Sequence, residues 1–463
     1  MTRRIEHLLA LLVLSTATAF SWPSAVRADE PEKKAEAATA KKADDATDDA
    51  ADDEKNDKKK EEKDRYFAVT GATVHSVTQG VHPGATILSK NGKIIEIGRS
   101  IEIPEGTEVL DATGFQLYPG LIAVASSGVV GKEPPDDTTD VYAIQMTIAL
   151  AGGITTAASD NSVAKLTWGS TDDIIVKRDV FETLRYSTSD PDGRHKLREK
   201  FDRVLRYVRE LEAYEEKKKL DLETAEPDKE WIKGEYEKVY RLIKREVVGV
   251  IDAHSAHDIL EACELATRYG IRVVVRDAME GWTVARQMAR AGLSAIITMR
   301  PPIFAGQGDL PDERFNRPTG RSIENAAILH DHGVPIAIVP SIKSITLWGL
   351  AGRDLLNLNM EAAFAVRGGL PEDAAIRAIT IDAARILGVD HRVGSIEVGK
   401  DADFVITDGE LLYYMTQARW TVVNGRVVYD KAKESLLSHI RPGGDVDAPP
   451  PQDYWPRRLG EDQ

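Results

Sequence analysis

The chain has 463 residues, enough for one large domain and a smaller accessory one. Its formal net charge of −15 argues against nucleic acid or an anionic membrane as a partner, because both require a basic surface. Cys263 is the single cysteine, so no disulfide forms within the chain, and its amphipathic surroundings predict buried packing.

The N-terminus has the pattern of a secretory signal. Two arginines precede an apolar run that ends near Phe20, and a small-x-small site ends at Ala28. We therefore predict a signal peptide over residues 1–28, cleaved after Ala28, and a periplasmic or secreted mature protein without a membrane span. An uncleaved membrane anchor is the alternative, but the run is shorter than the roughly 20 apolar residues that span a bilayer.

Residues 29–65 consist almost entirely of Asp, Glu, Lys and Ala, and they include no aromatic residue. Such a segment cannot bury enough apolar surface to offset its ordering entropy, so we predict a disordered linker. A helix is the alternative, although no apolar stripe would dock it on a partner surface. At the other end, residues 431–463 form a tail rich in Pro and Gly that is predicted to pack loosely.

Two β-rich segments, residues 66–118 and 393–430, flank the rest of the folded chain. Both contain short apolar and β-branched runs, and each has an Asn-Gly pair of the kind that turns a hairpin, Asn91-Gly92 and Asn424-Gly425. Because the two segments share this pattern, we predict that they pair into one small β-sandwich.

The segment between them, residues 119–392, alternates strand-like runs with helical spacing. Repeated β-then-α units predict a (β/α)₈ barrel of the TIM type, an α/β fold with parallel strands inside and helices outside. A flat doubly wound sheet is the alternative that the pattern leaves open. Residues 195–245 interrupt the rhythm with a charged helical hairpin, which is either an ordinary crossover or a lid.

Residues 119–127 read Pro-Gly-Leu-Ile-Ala-Val-Ala-Ser-Ser, a Pro-Gly turn that leads into a short apolar strand. Gly-Gly-Ile-Thr-Thr follows at 152–156, and Val-Gly-Ser-Ile-Glu-Val-Gly-Lys-Asp-Ala-Asp at 393–403. On these blocks the chain resembles the amidohydrolase superfamily, in its imidazolonepropionase-like branch, over roughly residues 66–430. The resemblance implies a barrel with a sandwich made from both chain ends, hydrolysis of amide-like C–N bonds, and a metal ion that activates water.

The resemblance also implies metal ligands, and the first barrel strand lacks them. The family's frame continues Asp-x-His-x-His, and the two histidines hold the metal from one face of the strand. In this chain the three places are Ala123, Ala125 and Ser127, and none of these side chains holds zinc or iron at neutral pH.

The places on later strands have changed as well. Asp252 stands where the family has a ligand histidine, and Asp277 stands where it has the histidine of the next strand. Ser341 stands where it has the aspartate of the last strand. Lys165 and Lys177 are two candidates for the family's bridging lysine. The motifs keep the residues that build the barrel, so we expect an intact scaffold around a site that has lost its usual ligands.

A rebuilt metal site is one interpretation of the residues that remain. Asp252 and His254 are two apart and face the same side of a strand, and Asp277 is expected to close the neighbouring strand. These groups would suit a divalent ion such as zinc. The competing interpretation makes Ser255 and Asp258 a helix-capping box and pairs Asp277 with a nearby arginine.

The leading hypothesis is an exported amidohydrolase-like protein that has lost metal-dependent hydrolysis and acts as a binding or structural protein. No cofactor is expected in that case, and the expected partner is a small-molecule ligand. The alternative is an active hydrolase of small or cyclic amide-like substrates, with a rearranged site for a divalent metal such as zinc. The sequence neither supports nor excludes an oligomer.

Overall fold

The computed structural model describes residues 64–434, with gaps at 133, 160, 221–224, 301–319 and 348–351. The predicted signal peptide, the predicted linker up to residue 63 and the tail from residue 435 lie outside the described residues. Asp64 and Arg65, the last two residues of the predicted linker, make contacts with the fold. Asp64 forms an ion pair of 2.7 Å with Lys90, and the Arg65 guanidinium donates to backbone carbonyls of the turn at 424–425.

The described residues begin and end with β-strands and alternate between strands and helices in the middle. The strands are β1 (Tyr66–His75), β2 (Val81–Lys90), β3 (Lys93–Gly98), β4 (Glu108–Asp111), β5 (Gln116–Pro119), β6 (Leu121–Ser126), β7 (Ile154–Ser159), β8 (Ser162–Lys165), β9 (Ile175–Lys177), β10 (Phe181–Thr183), β11 (Val248–Asp252), β12 (Val273–Arg276), β13 (Ser294–Ile297), β14 (Ile336–Ile338), β15 (Phe404–Thr407), β16 (Ala418–Val423) and β17 (Arg426–Asp430). The helices are α1 (Pro135–Thr138), α2 (Ile144–Ala151), α3 (Pro191–Lys219), α4 (Glu235–Ile243), α5 (Ala256–Tyr269), α6 (Gly281–Ala291), α7 (Asn325–Asp331), α8 (Leu358–Arg367), α9 (Glu372–Ala378) and α10 (Ile381–Leu387).

The sandwich segments from both parts of the chain form one eight-stranded sheet, β1 to β5 with β15 to β17. β15 pairs antiparallel with β5, with Phe404 opposite Pro119, so the two segments are joined by hydrogen bonds as the sequence predicts. Asn91 and Asn424 begin the two Asn-Gly turns, and each has a φ of 50°. Asparagine tolerates this left-handed conformation, which explains why these residues turn β2 into β3 and β16 into β17.

The barrel strands lie in two sheets. β6 to β9 form a four-stranded sheet in which β6 and β7 are parallel, and β10 to β14 form a five-stranded sheet in which every neighbouring pair is parallel. Helices α5, α6 and α7 connect the successive strands from β11 to β14. These are the β-then-α units that the sequence predicts, and parallel strands require such crossovers.

Alternation along the barrel strands separates two apolar cores. Side chains of one parity, such as Ala123, Ile251 and Val275, pack with the outer helices in a large cluster. Side chains of the other parity form a second cluster that we call the barrel interior. It contains Ile122, Val124, Val248, Val250, Val274, Ile296, Ala337 and Val339, together with Ala383, Ala384, Ile386 and Leu387 of α10. The strands of both barrel sheets and α10 therefore share one packed apolar core.

The predicted helical insertion is present and begins slightly earlier than expected. α3 spans Pro191–Lys219 and packs on α4, with the guanidinium of Arg203 5.1 Å from the ring centre of Tyr236. On the other side, Phe201 stacks on Tyr269 of α5 at 4.6 Å between ring centres, so the hairpin is anchored to an outer barrel helix. Across the described ranges, no helix is both long and apolar enough to cross a bilayer.

Candidate functional site at the mouth of the barrel

Polar side chains follow the apolar interior at the carboxyl ends of four barrel strands. Val250 and Val274 belong to the barrel interior, so the residues two further along β11 and β12 also face inward. Two more polar residues follow the next strands, one directly after β13 and one three residues after the end of β14. We call this set the mouth layer, and it consists of Asp252, Arg276, Thr298 and Ser341. In barrel enzymes this end of the strands carries the active site.

Asp252 and Arg276 form the central contact of the mouth layer. They are opposite each other in the parallel register of β11 and β12, and the guanidinium donates to both carboxylate oxygens at 2.6 and 2.8 Å. The two side chains are 52% and 31% exposed, so the pair faces solvent. At this exposure an ion pair contributes only about 0.2–1 kcal/mol to stability, and its position matters more than its strength.

Asp277, a predicted metal ligand, lies just after β12 rather than at its end. Its φ of 70° is in the left-handed region, and its N–H donates to the carbonyl of Ile296 at 2.8 Å. This turn takes Asp277 out of the strand alternation, and Arg276 occupies the inward-facing place. The sequence already indicated that Arg276 faces inward, because it lies two residues after Val274. The match to the family motif assigned Asp277 to this inward-facing place instead.

The first barrel strand, β6, presents no ligand to the interior. Ala123 is fully buried in the outer core, whereas Ala125 packs against the barrel interior. Ala123 and Ala125 are two residues apart but pack in different cores, because the pairing of β6 with β7 shifts register between Ala123 and Ser126. Ser127 is exposed beyond the strand, and its N–H donates to the carbonyl of Lys343 at 2.6 Å.

The segment after β11 forms the predicted capping box. His254 is exposed there, and the next residue, Ser255, accepts the N–H of Asp258 at 3.2 Å. Asp258 in turn accepts from the Ser255 hydroxyl at 2.7 Å and from the N–H and hydroxyl of Thr188, both at 2.7 Å. Burial favours a higher pKa for Asp258, but these hydrogen bonds outweigh it and lower the pKa. The box fixes the start of α5.

A second Arg–carboxylate pair near the end of β13 was missed by sequence reasoning. The backbone N–H and Nε of Arg300 donate to the two oxygens of Glu361, each at 2.7 Å. Glu361 lies on α8 and is fully buried, and Arg300 also covers the ring of Phe364 at 4.5 Å. No local pattern links residues 300 and 361, because they are brought together only when α8 packs on the barrel.

The mouth layer does not fit a divalent ion as it is arranged. Within the described ranges, no cluster of three or more His, Cys, Asp or Glu side chains could hold a metal. Both oxygens of Asp252 bind a guanidinium, which supplies a cation where a metal would need the carboxylate. The metal site composed of Asp252, His254 and Asp277 therefore remains a prediction.

The two candidates for a bridging lysine make their contacts elsewhere. The amine of Lys177 lies 3.4 and 3.5 Å from carbonyl oxygens at the end of α10. Lys165 is fully buried in β8, and its amine is 2.6 Å from an oxygen of Asp401 and 3.0 Å from one of Asp403. The nearer Asp403 oxygen accepts no hydrogen bond, but the amine donates to the other oxygen at 3.4 Å. Among the described contacts, neither lysine reaches the mouth layer.

Lys165 belongs to a network of charged groups between the barrel and the sandwich, which is buried at Lys165, Asp401 and Asp403. We call it the junction cluster, and its members are Lys93, Lys165, Asp173, Arg392, Asp401, Asp403 and Asn424. Burial favours a higher pKa for Asp401, but the charges and hydrogen bonds of Lys165, Lys93 and Arg392 together outweigh it and lower the pKa. Burial dominates at Asp403, whose pKa is raised despite the same lysine. The cluster thus joins the two parts of the fold through charged groups.

Comparison with known proteins shows which family the chain resembles. Residues 283–435 match the model of the amidohydrolase family. The chain is 33% identical to the imidazolonepropionase of Pseudomonas aeruginosa (strain UCBPP-PA14) over 162 residues, which is 34% of this chain and 35% of that protein. It is 43% identical to the imidazolonepropionase of Pseudomonas savastanoi pv. phaseolicola (strain 1448A / Race 6) over 151 residues, 33% of each. The chain matches about a third of the length of these curated relatives.

A solved structure is similar over most of the described fold. The crystal structure of an amidohydrolase from Thermotoga maritima MSB8 covers 79% of this chain and 100% of its own, with a TM-score of 0.58 and 23% identity. This likeness concerns the fold alone, and it confirms the predicted TIM-type barrel. The family match and the relatives confirm the resemblance to the amidohydrolase superfamily, in its imidazolonepropionase-like branch.

Proposed function

We propose that this chain is an exported protein of amidohydrolase type that binds a small molecule at the mouth of its barrel without metal-dependent hydrolysis. The family resemblance suggests hydrolysis of C–N bonds as the chemistry of the scaffold. The observation that carries the proposal is the Asp252–Arg276 pair. A guanidinium holds the carboxylate that a metal would need, at the end of the barrel where family members react.

The first barrel strand supports the same conclusion. Metal activation of water needs several imidazole or carboxylate ligands directed to one point. Ala125 contributes only a methyl group to the barrel interior, and Ser127 is exposed with a hydroxyl that remains protonated at neutral pH. The remaining polar groups, a guanidinium, a carboxylate and hydroxyls, are suited to hydrogen bonding with a polar ligand.

An active hydrolase is a second candidate, favoured by the identity of 33–43% with the two imidazolonepropionases. In that case Asp252 would give up its ion pair with Arg276 and bind a metal ion together with His254. The substrate would be a small or cyclic amide, and the divalent metal would activate the attacking water.

Elemental analysis separates the two candidates. The protein is produced with zinc, iron and manganese in the medium and purified without chelators. We expect less than about a tenth of a metal equivalent per chain, because the ligand set is incomplete. One equivalent that is lost in an Asp252→Asn/His254→Gln variant, but kept in an Asp331→Asn/His332→Gln control at the exposed C-terminal end of α7, would overturn the proposal in favour of the hydrolase.

Ligand binding and export need their own measurements. Native mass spectrometry of the purified chain, before and after mild unfolding, should reveal a small molecule that is retained by the wild type and lost in Arg276→Gln. A rapid turnover of cyclic amides that chelators abolish would contradict the proposal. Export is tested by N-terminal sequencing of protein recovered outside the cytoplasm, and the expected first residue is Asp29.

A further inference from the structure

A cavity of about 430 Å³ lies at the junction of the barrel and the sandwich. This volume is within the range of small-molecule sites. Its walls are the two Asn-Gly turns of the sandwich, the segment 167–173 between β8 and β9, and Arg392. None of its lining residues belongs to the mouth layer, so the cavity is a separate feature from the site proposed above.

The floor of this cavity is electrically balanced. Asp401, whose side chain is 1% exposed, forms ion pairs with the amine of Lys93 and the guanidinium of Arg392. Arg392 also pairs with Asp173 at 2.5 Å. With Lys165 and Asp403 beneath them, the junction cluster contains three cations and three carboxylates. These groups neutralise each other and leave no charge for a ligand.

The sandwich wall carries two further arginines. Arg65 donates to the backbone carbonyls of Asn424 and Gly425, each at 2.6 Å, and these carbonyls are neutral. Arg426 is exposed, and no ion pair involves it among the described residues. Both arginines line the same cavity, and burial, followed by the charge of Arg426, lowers the pKa of Arg65.

Among the charged residues that line the cavity, four are cations, Arg65, Lys93, Arg392 and Arg426, and three are carboxylates, Asp172, Asp173 and Asp401. Glu108 raises the pKa of Arg65 but is not a lining residue. Asp172 is the remaining acidic group of the wall, and its side chain is exposed. The lining residues therefore carry one positive charge in excess, on a chain whose net charge is −15, and this favours an anionic ligand.

An aromatic surface completes the cavity. Trp168 lines it and is 36% exposed, and its ring meets Tyr142 edge-on at 5.5 Å between centres. An exposed indole beside a charged wall offers a flat apolar contact to a ligand. The contact with Tyr142 limits the orientations of the indole, which reduces the entropy lost on binding.

We propose that this cavity binds a small aromatic oxyanion, a carboxylate or a phosphate ester, with the anionic group at Arg65 and Arg426 and the ring against Trp168. Guanidinium groups present N–H donors in a planar fork that matches such oxygens. The ligand would touch the sandwich and the barrel together, so its binding would also stabilise their junction.

Isothermal titration calorimetry with phenyl phosphate tests the proposal on the full chain. We expect one saturable site, and binding at least about tenfold weaker in Arg426→Glu because the variant replaces attraction by repulsion. The matched control is Arg286→Glu, an exposed residue of α6 with the same change of charge, which should bind within about twofold of the wild type. Equal weakening in both variants would show a general charge effect and overturn the site.

Two further probes separate the parts of the ligand. Inorganic phosphate should bind more weakly than phenyl phosphate, and Trp168→Leu should remove that difference because the ring contact is lost. Benzoate replaces phenyl phosphate in a parallel titration to distinguish a carboxylate site from a phosphate site. The absence of saturable binding for both aromatic probes would refute the proposal, and it would leave the mouth site untouched.

Discussion

Replacing Lys165 by Met tests the energetic role of the junction cluster. The substitution keeps the length of the side chain and removes its charge. Asp401 retains Lys93 and Arg392, but Asp403 loses the cation 3.0 Å from its carboxylate. Removing one partner of a buried ion pair costs about 3–5 kcal/mol, because the other charge stays desolvated. We expect a loss of this size in the free energy of unfolding.

The assay is urea unfolding at pH 7, followed by circular dichroism and by tryptophan fluorescence, with agreement of the two curves as the check on cooperativity. Lys90→Met is the matched control, because Lys90 pairs with Asp64 at 2.7 Å while both side chains are at least a third exposed. This control should lose less than about 1 kcal/mol.

A double-mutant cycle identifies the cause of the loss. In Lys165→Met/Asp403→Asn the carboxylate is neutral, so the double variant should be more stable than the two single losses predict, by about 2 kcal/mol. The reasoning is refuted if Lys165→Met costs no more than the Lys90 control. It is also refuted if the losses of the single variants simply add.

The remaining predictions concern pH, a helix start and a thiol. Because burial raises the pKa of Asp403 above 3.8, the folded state binds a proton more tightly than the unfolded state. The stability of the wild type should therefore fall relative to that of Asp403→Asn as pH rises above 3.8. If the unfolding midpoints of the two proteins shift in parallel between pH 4 and 7, this prediction is contradicted. Ser255→Ala removes the cap of α5 and should cost about 1 kcal/mol in urea unfolding, whereas an unchanged midpoint would argue against the cap. Burial raises the pKa of the Cys263 thiol to about 11, so a thiol reagent should modify it only after unfolding, and rapid labelling of the native chain would disprove its burial.

The sequence alone determined the fold class and the residues that stand at the expected ligand places of the first barrel strand. Strand and helix periodicities are local patterns, and they predicted the parallel barrel, the hairpin turns at Asn91 and Asn424, and the capping box at Ser255. The absence of histidines at Ala125 and Ser127 is also visible without coordinates. The export signal and the rebuilt metal site also come from sequence patterns, and both remain predictions.

The tertiary structure decided which charged groups meet. Arg276 rather than Asp277 faces inward, because the chain turns into the left-handed region directly after β12. Lys165 was a candidate for metal chemistry, and it instead joins Asp401 and Asp403, more than 200 residues away in the chain. Periodicity reports which face of an element is apolar, but ion pairs depend on distances between elements that only packing sets.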